Sequence, residues 1–256
     1  MTFYSIELDD LDLIEPIERW LTEEVYSLSV IDEITTFYIE FSDERKAAFE
    51  AAFPTLELAP YTETVDWDDQ WEQECDLKEG TLKVEFESCP LFYLKAGPGF
   101  GNLTHPTTRL MIDQMKDFVK NQVVFDIGSG SGVLSIAALK LGAKRVVATD
   151  IDPDALSHTD ENAALNDCSV ETVLPSELPP IPKGSIILMN MIRSEQEAAF
   201  RNLRPQLEGK SLFITSGVLA EEKALYEKEC SARGLKLLST EQEDQWLSFV
   251  LSFGET

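Results

Sequence analysis

Cysteine and histidine are scarce in this chain of 256 residues, four of one and two of the other, and basic side chains number 21 against 47 acidic ones. Cys75, Cys89, Cys168 and Cys230 are widely spaced and form no C-x-x-C pair. Only His105 and His158 are available as imidazole partners, so neither a disulfide framework nor a clustered metal site is expected, and the thiols read as reduced, buried or incidental. No apolar run approaches the roughly 18 residues of a membrane helix, and the first residues, MTFYSIELDD, lack the basic and apolar regions of a signal peptide. The expectation is a cytoplasmic protein without membrane contact. A G-x-S-x-G nucleophile elbow is also missing, which leaves covalent hydrolase chemistry unsupported.

The shortage of positive charge is uneven. Residues 1–90 hold 25 acidic and five basic side chains, and the remainder holds 22 and 16, within a net charge of −26. An acidic first third repels nucleic acid and anionic membrane, so no direct nucleic-acid binding is expected. Such a surface either steers a basic partner toward it, with a dependence on salt, or serves only as a solubilising coat.

Hydrophobic content of 43% is ample for a packed core. The first sixty residues read as strand 2–8, a helix with apolar Ile14, Ile17 and Leu21, strands 25–31 and 34–41, a helix capped by Ser42 that runs to about Phe53, and strand 56–61. That β-α-β-β-α-β order is a split, ferredoxin-like α+β unit. Residues 62–80 read as a charged linker whose Trp67 and Trp71, four apart, dock onto a neighbouring domain or, less readily, form a ligand cage. Strands at 81–86 and 91–95 introduce a second domain, 81–256. Helices at 106–119, 131–141, 153–166, 195–207 and 219–233 then alternate with strands at 123–127, 145–149, 170–174, 185–190 and 212–216, and two antiparallel strands close the chain. This is the pattern of a parallel, doubly wound Rossmann-like α/β sheet.

The richest segment is 123–150, VVFDIGSGSGVLSIAALKLGAKRVVATD. An apolar strand leads into a turn where Gly128, Gly130 and Gly132 let the backbone bend sharply and approach a ligand, and the following helix is expected to point free N–H groups at it. Asp150, 22 residues after Gly128, ends the second strand where a carboxylate accepts both hydroxyls of a ribose. The G-x-G-x-G spacing departs from the G-x-G-x-x-G of dinucleotide folds. Asp126 adds negative charge where phosphates would otherwise lie, which suits the ammonium of S-adenosylmethionine better than NAD. A bare glycine-rich turn is the bland alternative.

Other candidates surround it. Asn190 ends the apolar run GSIILMN at the carboxyl edge of the sheet, either as a holder of an amine acceptor or simply as a strand terminator. GPGFGNLTHPTTRL is a candidate lid in which Thr107 and Thr108 contact ligand, or in which Thr104 merely caps the next helix. His105 has no partner tied to it by spacing, which favours a loop-fixing histidine over a proton shuttle.

Taken together, THPTTRL, DIGSGSGVLSIAALKLGAKRVVATDIDPDAL and ILMNMI resemble the bacterial methyltransferases that modify ribosomal protein L11 of the large subunit. The resemblance runs from about Asp66 to the end and includes the paired tryptophans, TLKVEF, PGFG and HPTT in family order. It implies a class I methyltransferase domain preceded by a ferredoxin-like domain, residues 1–61, that recognises the basic ribosomal protein. The implied reaction is methyl transfer from S-adenosylmethionine to amino groups, chiefly lysines. By motif, cofactor contacts fall on Thr108, Gly128, Asp150 and Asn190, to which the residue pattern adds Asp126 and Gly130, with Asn190 also placing the acceptor amine.

Two departures border the acceptor side: the glycine and threonine run before HPTT is shortened to GFGN, and Asn190 is followed by MIRS in place of a small, apolar ILAG-like stretch. They leave open which amines are modified and how often. A methyltransferase acting on another protein, on a small-molecule amine or on arginine is the same-class rival, and a non-catalytic acidic binding module is the rival from another class.

Overall fold

The computed structural model describes residues 2–8, 13–21, 26–31, 34–60, 77, 78, 80–98, 101 and 105–254. It divides into two compact units, Met1–Val65 and Asp66–Thr256. Trp67, Trp71, Cys75 and Thr104 lie outside the described residues, as does the linker reading for 62–76.

In the first unit the order is β1 (Thr2–Leu8), α1 (Ile14–Trp20), β2 (Tyr26–Ile31), β3 (Ile34–Phe41), α2 (Asp43–Ala52) and β4 (Ala59–Pro60). The sheet runs β2-β3-β1-β4 with every pair antiparallel. Alternation explains which face is buried: Tyr4, Ile6 and Leu8 point the same way as Phe37, Ile39 and Phe41, and α1 and α2 cover them with Ile17, Leu21 and Phe49. Trp20 meets Phe41, Phe49 and Phe53 edge-on. Ser42 Oγ accepts from the Arg45 N–H at 3.3 Å, the N-cap bond expected of it. The strand expected at 56–61 shrinks to Ala59–Pro60. Leu56 N–H turns back to Phe53 O, Leu56 and Leu58 pack onto the core, and Pro60 has no N–H to extend a ladder.

The second unit begins with a hairpin, β5 (Thr81–Phe86) and β6 (Cys89–Lys95), then α3 (Pro106–Met115), β7 (Val123–Ile127), α4 (Val133–Lys140), β8 (Arg145–Thr149), α5 (Pro153–Leu165) and β9 (Glu171–Val173). It continues through β10 (Ile186–Asn190), α6 (Arg193–Leu203), β11 (Ser211–Leu219), α7 (Lys223–Ala232), β12 (Leu235–Glu243) and β13 (Trp246–Phe253). A seven-stranded sheet has the order β12-β13-β11-β10-β7-β8-β9. Strands β11 to β9 in that order are parallel, whereas β13 and β12 join antiparallel. Because helices cover both faces, strands read as continuous apolar runs: Val124, Leu188, Ile214 and Val250 fill one core, and Phe125, Ile187, Phe213 and Leu251 the other. Strand β7 has β8 on one side and β10 on the other, so the crossovers change direction at its carboxyl end, where open α/β sheets leave a crevice.

The free edge of β6 is closed by side chains. Along α5, His158, Asn162 and Asn166 are spaced by four and share one face. Asn166 accepts from Tyr93 N–H at 2.8 Å and donates to Tyr93 O at 2.6 Å, Asn162 accepts from Lys95 N–H at 2.7 Å, and His158 Nε2 lies 2.8 Å from Lys95 O. This replaces a missing strand partner residue by residue. Helix lengths differ from the periodicity at their ends: the last turn of the helix expected to reach 207 tightens to a short 3-10 segment, Arg204–Gln206, where Pro205 removes an N–H.

Candidate cofactor site

Four strands border the crevice where their parallel pairing stops, in the order Ser216 within β11, Asn190 at the end of β10, Ile127 at the end of β7 and Thr149 at the end of β8. Immediately beyond them stand Gly217, Met191, Gly128 and Asp150. Gly128 (φ +73°), Gly130 (φ +53°) and Gly132 (φ +77°) all adopt the left-handed conformation that the turn demands. At Gly132 a Cβ would come within 3.1 Å of the Thr159 backbone, so the third glycine serves packing against α5.

Five N–H groups of this turn and of the helix start are not free, contrary to expectation. Gly128 and Ser129 donate to Thr149 O at 2.8 and 3.1 Å, Gly130 donates to Asp150 Oδ2 at 3.0 Å, Gly132 to Ser129 O at 2.8 Å, and Val133 to Ser131 Oγ at 3.4 Å. The helix also starts at Val133, two residues later than expected, because Gly132 in its left-handed conformation forms the N-cap. A phosphate-binding turn aims such donors at an anion. Here those of Gly128, Ser129 and Gly130 are consumed in tying β7 to β8 and those of Gly132 and Val133 within the turn, so the turn offers shape and closeness of backbone more than an anion cradle.

Asp150 is half-buried, and its other oxygen, Oδ1, accepts from Asp152 N–H at 3.0 Å. Each carboxylate oxygen carries a second lone-pair direction, so the group is held rigidly and can still accept from a ligand. Ile151, next to it, is 87% exposed, an apolar surface at the rim that sequence reasoning passed over. Asp126 lies underneath and is 1% exposed, and its Oδ2 accepts from Ser135 Oγ at 2.6 Å. Burial pushes its carboxyl up to about 7, with the Asp150 charge adding to the rise and the Ser135 hydrogen bond opposing it. Asp126 therefore joins β7 to α4 from below the crevice, withdrawn from its surface.

On the opposite side of Gly128, Asn190 is half-buried at the end of β10. The elements behind it are fixed by a buried polar cluster with no sequence signature: Gln196 Nε2 donates to Met191 O at 2.8 Å and to Ser216 O at 2.9 Å, while Tyr226 donates to Gln196 Oε1 at 2.5 Å.

Helix α3 brings the third wall and packs against β11 and β13. Its N-cap is His105, whose Nδ1 accepts from the Thr107 N–H at 3.4 Å and whose ring sits 5.0 Å from that of Trp246. A loop-fixing histidine is thus what the geometry contains, and the capping expected of Thr104 is performed by its neighbour. Thr107 Oγ1 is 2.8 Å from His105 Nδ1. Thr108 is fully buried, and neither its hydroxyl nor that of Thr149 has a partner among the described residues. Unsatisfied buried hydroxyls at a crevice rim suit a polar ligand. Ser131 Oγ donates to Gly101 O at 2.6 Å, which ties Gly101 to the glycine turn.

The structure thus gathers Gly128, Gly130, Asp150 and Asn190 at one edge, keeps Asp126 beneath them, and sets Thr108 on the helix alongside. Consumed turn donors, an acidic group on the β8 side and an amide on the β10 side fit a cationic nucleoside carrying no phosphates.

Residues 81–253 match the family model described as Ribosomal protein L11 methyltransferase (PrmA). The ribosomal protein L11 methyltransferase of Geobacter sulfurreducens is 37% identical over 158 residues, which cover 61% of this chain and 52% of that protein. The protein of the same description from Thermotoga maritima is 32% identical over 174 residues, 67% of this chain and 66% of its own length. Among solved structures, ribosomal protein L11 methylase from Lactobacillus delbrueckii subsp. bulgaricus is 29% identical with a TM-score of 0.55, over 63% of this chain and 84% of that one. The matched region spans about half to two thirds of the length of those two curated relatives.

Proposed function

The chain belongs to the ribosomal protein L11 methyltransferase family, and from that premise we propose that it transfers methyl groups from S-adenosylmethionine to amino groups of a basic protein. The substrate is large-subunit ribosomal protein L11, with lysine side chains and the N-terminal amine as acceptors. The observation that carries this reading is the placement of Asp150 and Asn190 on either side of a glycine turn whose Gly128, Ser129 and Gly130 N–H groups are already spent, which disfavours a pyrophosphate and leaves a cation acceptable.

When bound, the cofactor supplies a methyl group on a sulfonium, whose departure leaves a neutral thioether, so positioning outweighs acid or base catalysis. Asp150, held in place by the N–H groups of Gly130 and Asp152, would accept from the ribose hydroxyls. Gly128 and Gly130 would keep the backbone low beneath a nucleoside, Ile151 would offer apolar surface to its base, and the unpaired hydroxyl of Thr108 on α3 would be available to it. Asp126 acts through Ser135 and the electrostatic field below the turn. The Asn190 carbonyl orients an amine that arrives deprotonated. Residues 1–61 form a ferredoxin-like recognition domain, 62–80 a linker and 81–256 the catalytic domain. The acidic first third draws in the cationic substrate, the setting is the cytoplasm, and nucleic acid is not contacted directly.

The test is incubation of the chain with methyl-labelled cofactor and purified L11, followed by peptide mapping. Label on lysine or the N-terminal amine supports the reading. A chain that binds cofactor and leaves L11 unlabelled overturns the substrate assignment, and one that binds no cofactor overturns the activity.

A further inference from the structure

Thr159 and Asn162 are fully buried on α5, and both reach the carbonyl groups of the glycine turn. Thr159 Oγ1 donates to Gly130 O at 3.1 Å and lies 3.0 Å from Ser129 Oγ, while Asn162 Nδ2 donates to Ser131 O at 2.9 Å. Two peptides of the turn are gripped at both ends. The one joining Ser129 to Gly130 bonds through its carbonyl to Gly132 N–H and through its N–H to Asp150 Oδ2. The one joining Ser131 to Gly132 bonds through its carbonyl to Asn162 and through its N–H to Ser129 O. Asn162 Oδ1 also accepts from Lys95 N–H at 2.7 Å, so a single side chain ties the turn to the end of β6. A main-chain donor on its oxygen and a main-chain acceptor on its nitrogen fix which way the amide faces. Asn166 supplies the contrast: it closes the β6 edge at Tyr93 in the same manner, and the further bond of its amide goes to Asn162 O at 2.7 Å, away from the turn.

We propose that Asn162 is a positioning residue for the methyl donor: by holding the peptide between Ser131 and Gly132 against the end of β6, it sets the shape of the main-chain surface on which the donor lies. The proposal rests on the reading of the Gly128 turn as a methyl-donor site. Asn162 is buried away from that surface and acts through the turn. Glycine stands on both sides of Ser131, and a peptide flanked by Gly130 and Gly132 rotates at little steric cost once its carbonyl is released. The side-chain bond from α5 therefore supplies a restraint that the turn's own sequence lacks.

Asn162→Asp isolates that bond. The carboxylate keeps an oxygen for Lys95 N–H and sets a second, negatively charged oxygen against Ser131 O, where the two acceptors repel. Protonation turns that oxygen into a donor and restores the pattern of the amide. Burial and the facing carbonyl both favour the neutral acid, so the restored form gains as pH falls. The titratable neighbours are His158 and Glu161 on α5, Lys95 on β6, which pairs with Glu161 at 2.8 Å, and Asp126 and Asp150 on β7 and at the end of β8. All of them are present in the wild type, so each affinity is taken as a ratio to wild type at the same pH.

S-adenosylhomocysteine is titrated in a calorimeter into the full chain, Asn162→Asp and Asn166→Asp, at about pH 8 and about pH 6. Asn162→Asp should bind about tenfold more weakly than wild type at the higher pH and recover to within about threefold at the lower. Asn166→Asp disturbs the same strand edge without touching the turn, so it should lower Tm and keep wild-type affinity at both. Thr159→Val removes the bond to Gly130 O, leaves β6 untouched and should weaken binding by about threefold or more; it carries the test if Asn162→Asp does not fold. Wild-type affinity in Asn162→Asp at the higher pH, a loss that does not recover at the lower one, an equal loss in Asn166→Asp, or unchanged affinity in Thr159→Val overturns the proposal. Absence of calorimetric binding to the wild type overturns the donor-site reading beneath it, and the proposal with it.

Discussion

Replacing Gly217 with alanine should unsettle the crevice from behind, and its cost follows from three effects. The backbone there has φ +95°, beyond the left-handed well that a side chain tolerates at about 1–2 kcal/mol. The new Cβ would lie 2.6 Å from the Met191 carbonyl carbon and 3.2 Å from Ile192 N, well inside the roughly 3.5 Å at which heavy atoms rest, so the peptide must retreat by about 1 Å. Retreat breaks the 2.8 Å bond from Gln196 Nε2, at about 1–3 kcal/mol for a buried group left unsatisfied. Together these come to about 2–5 kcal/mol, which lowers Tm by about 4–20 °C in a unit of this size. Thermal unfolding by circular dichroism reads the loss, and cofactor titration at low temperature reads the accompanying displacement of Asn190. A Tm within about 2 °C of wild type, with unchanged affinity, would refute the claim that Gly217 and Gln196 jointly fix this loop.

Asp126→Asn probes the buried carboxyl. With its pKa pushed up to about 7, the folded chain keeps a proton that the unfolded chain releases near pH 4, so wild-type stability falls as pH rises between those values and levels off above. The variant should therefore gain on wild type across that window by up to about 4 kcal/mol, and a stability difference flat with pH in urea titrations would contradict the protonation argument. Asn166→Ala strips the partners of Tyr93 N–H and C=O and should cost about 1–3 kcal/mol, with faster amide exchange at Tyr93; unaltered exchange there would show that α5 does not close that edge. Reversing Glu44, Glu50 and Glu57 to lysine should slow methylation of L11 by about tenfold at low salt while leaving cofactor affinity intact, and equal effects on both would argue against separate recognition and catalysis.

What the sequence revealed was whatever follows from period and backbone conformation. Val123 to Asp150 was legible because an apolar strand, glycines at close spacing and a largely apolar helix each leave a local mark, and a carboxylate 22 residues on needs only strand adjacency to meet the turn; that helix is buried on every side over Val133 to Ala138. Ser42 was legible because capping is local. The partners of Gly128, Ser129 and Gly130 were not, since they lie on Thr149 and Asp150, and pairing across strands depends on register. His158, Asn162 and Asn166 do carry a signal, a polar residue every fourth position along α5, but only the position of β6 shows that it answers an unpaired edge. Gln196, Tyr226 and Gly217 left no trace, because their role is to satisfy and accommodate main-chain atoms brought together by the fold. The extent of β4 was overread because the apolar spacing of Leu56 and Leu58 serves packing without a ladder.

The central claim, that the edge between Asp150 and Asn190 receives a nucleoside methyl donor, is tested most directly by titrating S-adenosylmethionine into the chain and into Asp150→Ala in a calorimeter. Loss of charged hydrogen bonds to the ribose should weaken binding by about tenfold or more, alongside a Tm loss of a few degrees from the Gly130 and Asp152 N–H groups left without their acceptor. A wild-type chain without affinity, or a variant that binds as tightly as wild type, would contradict it.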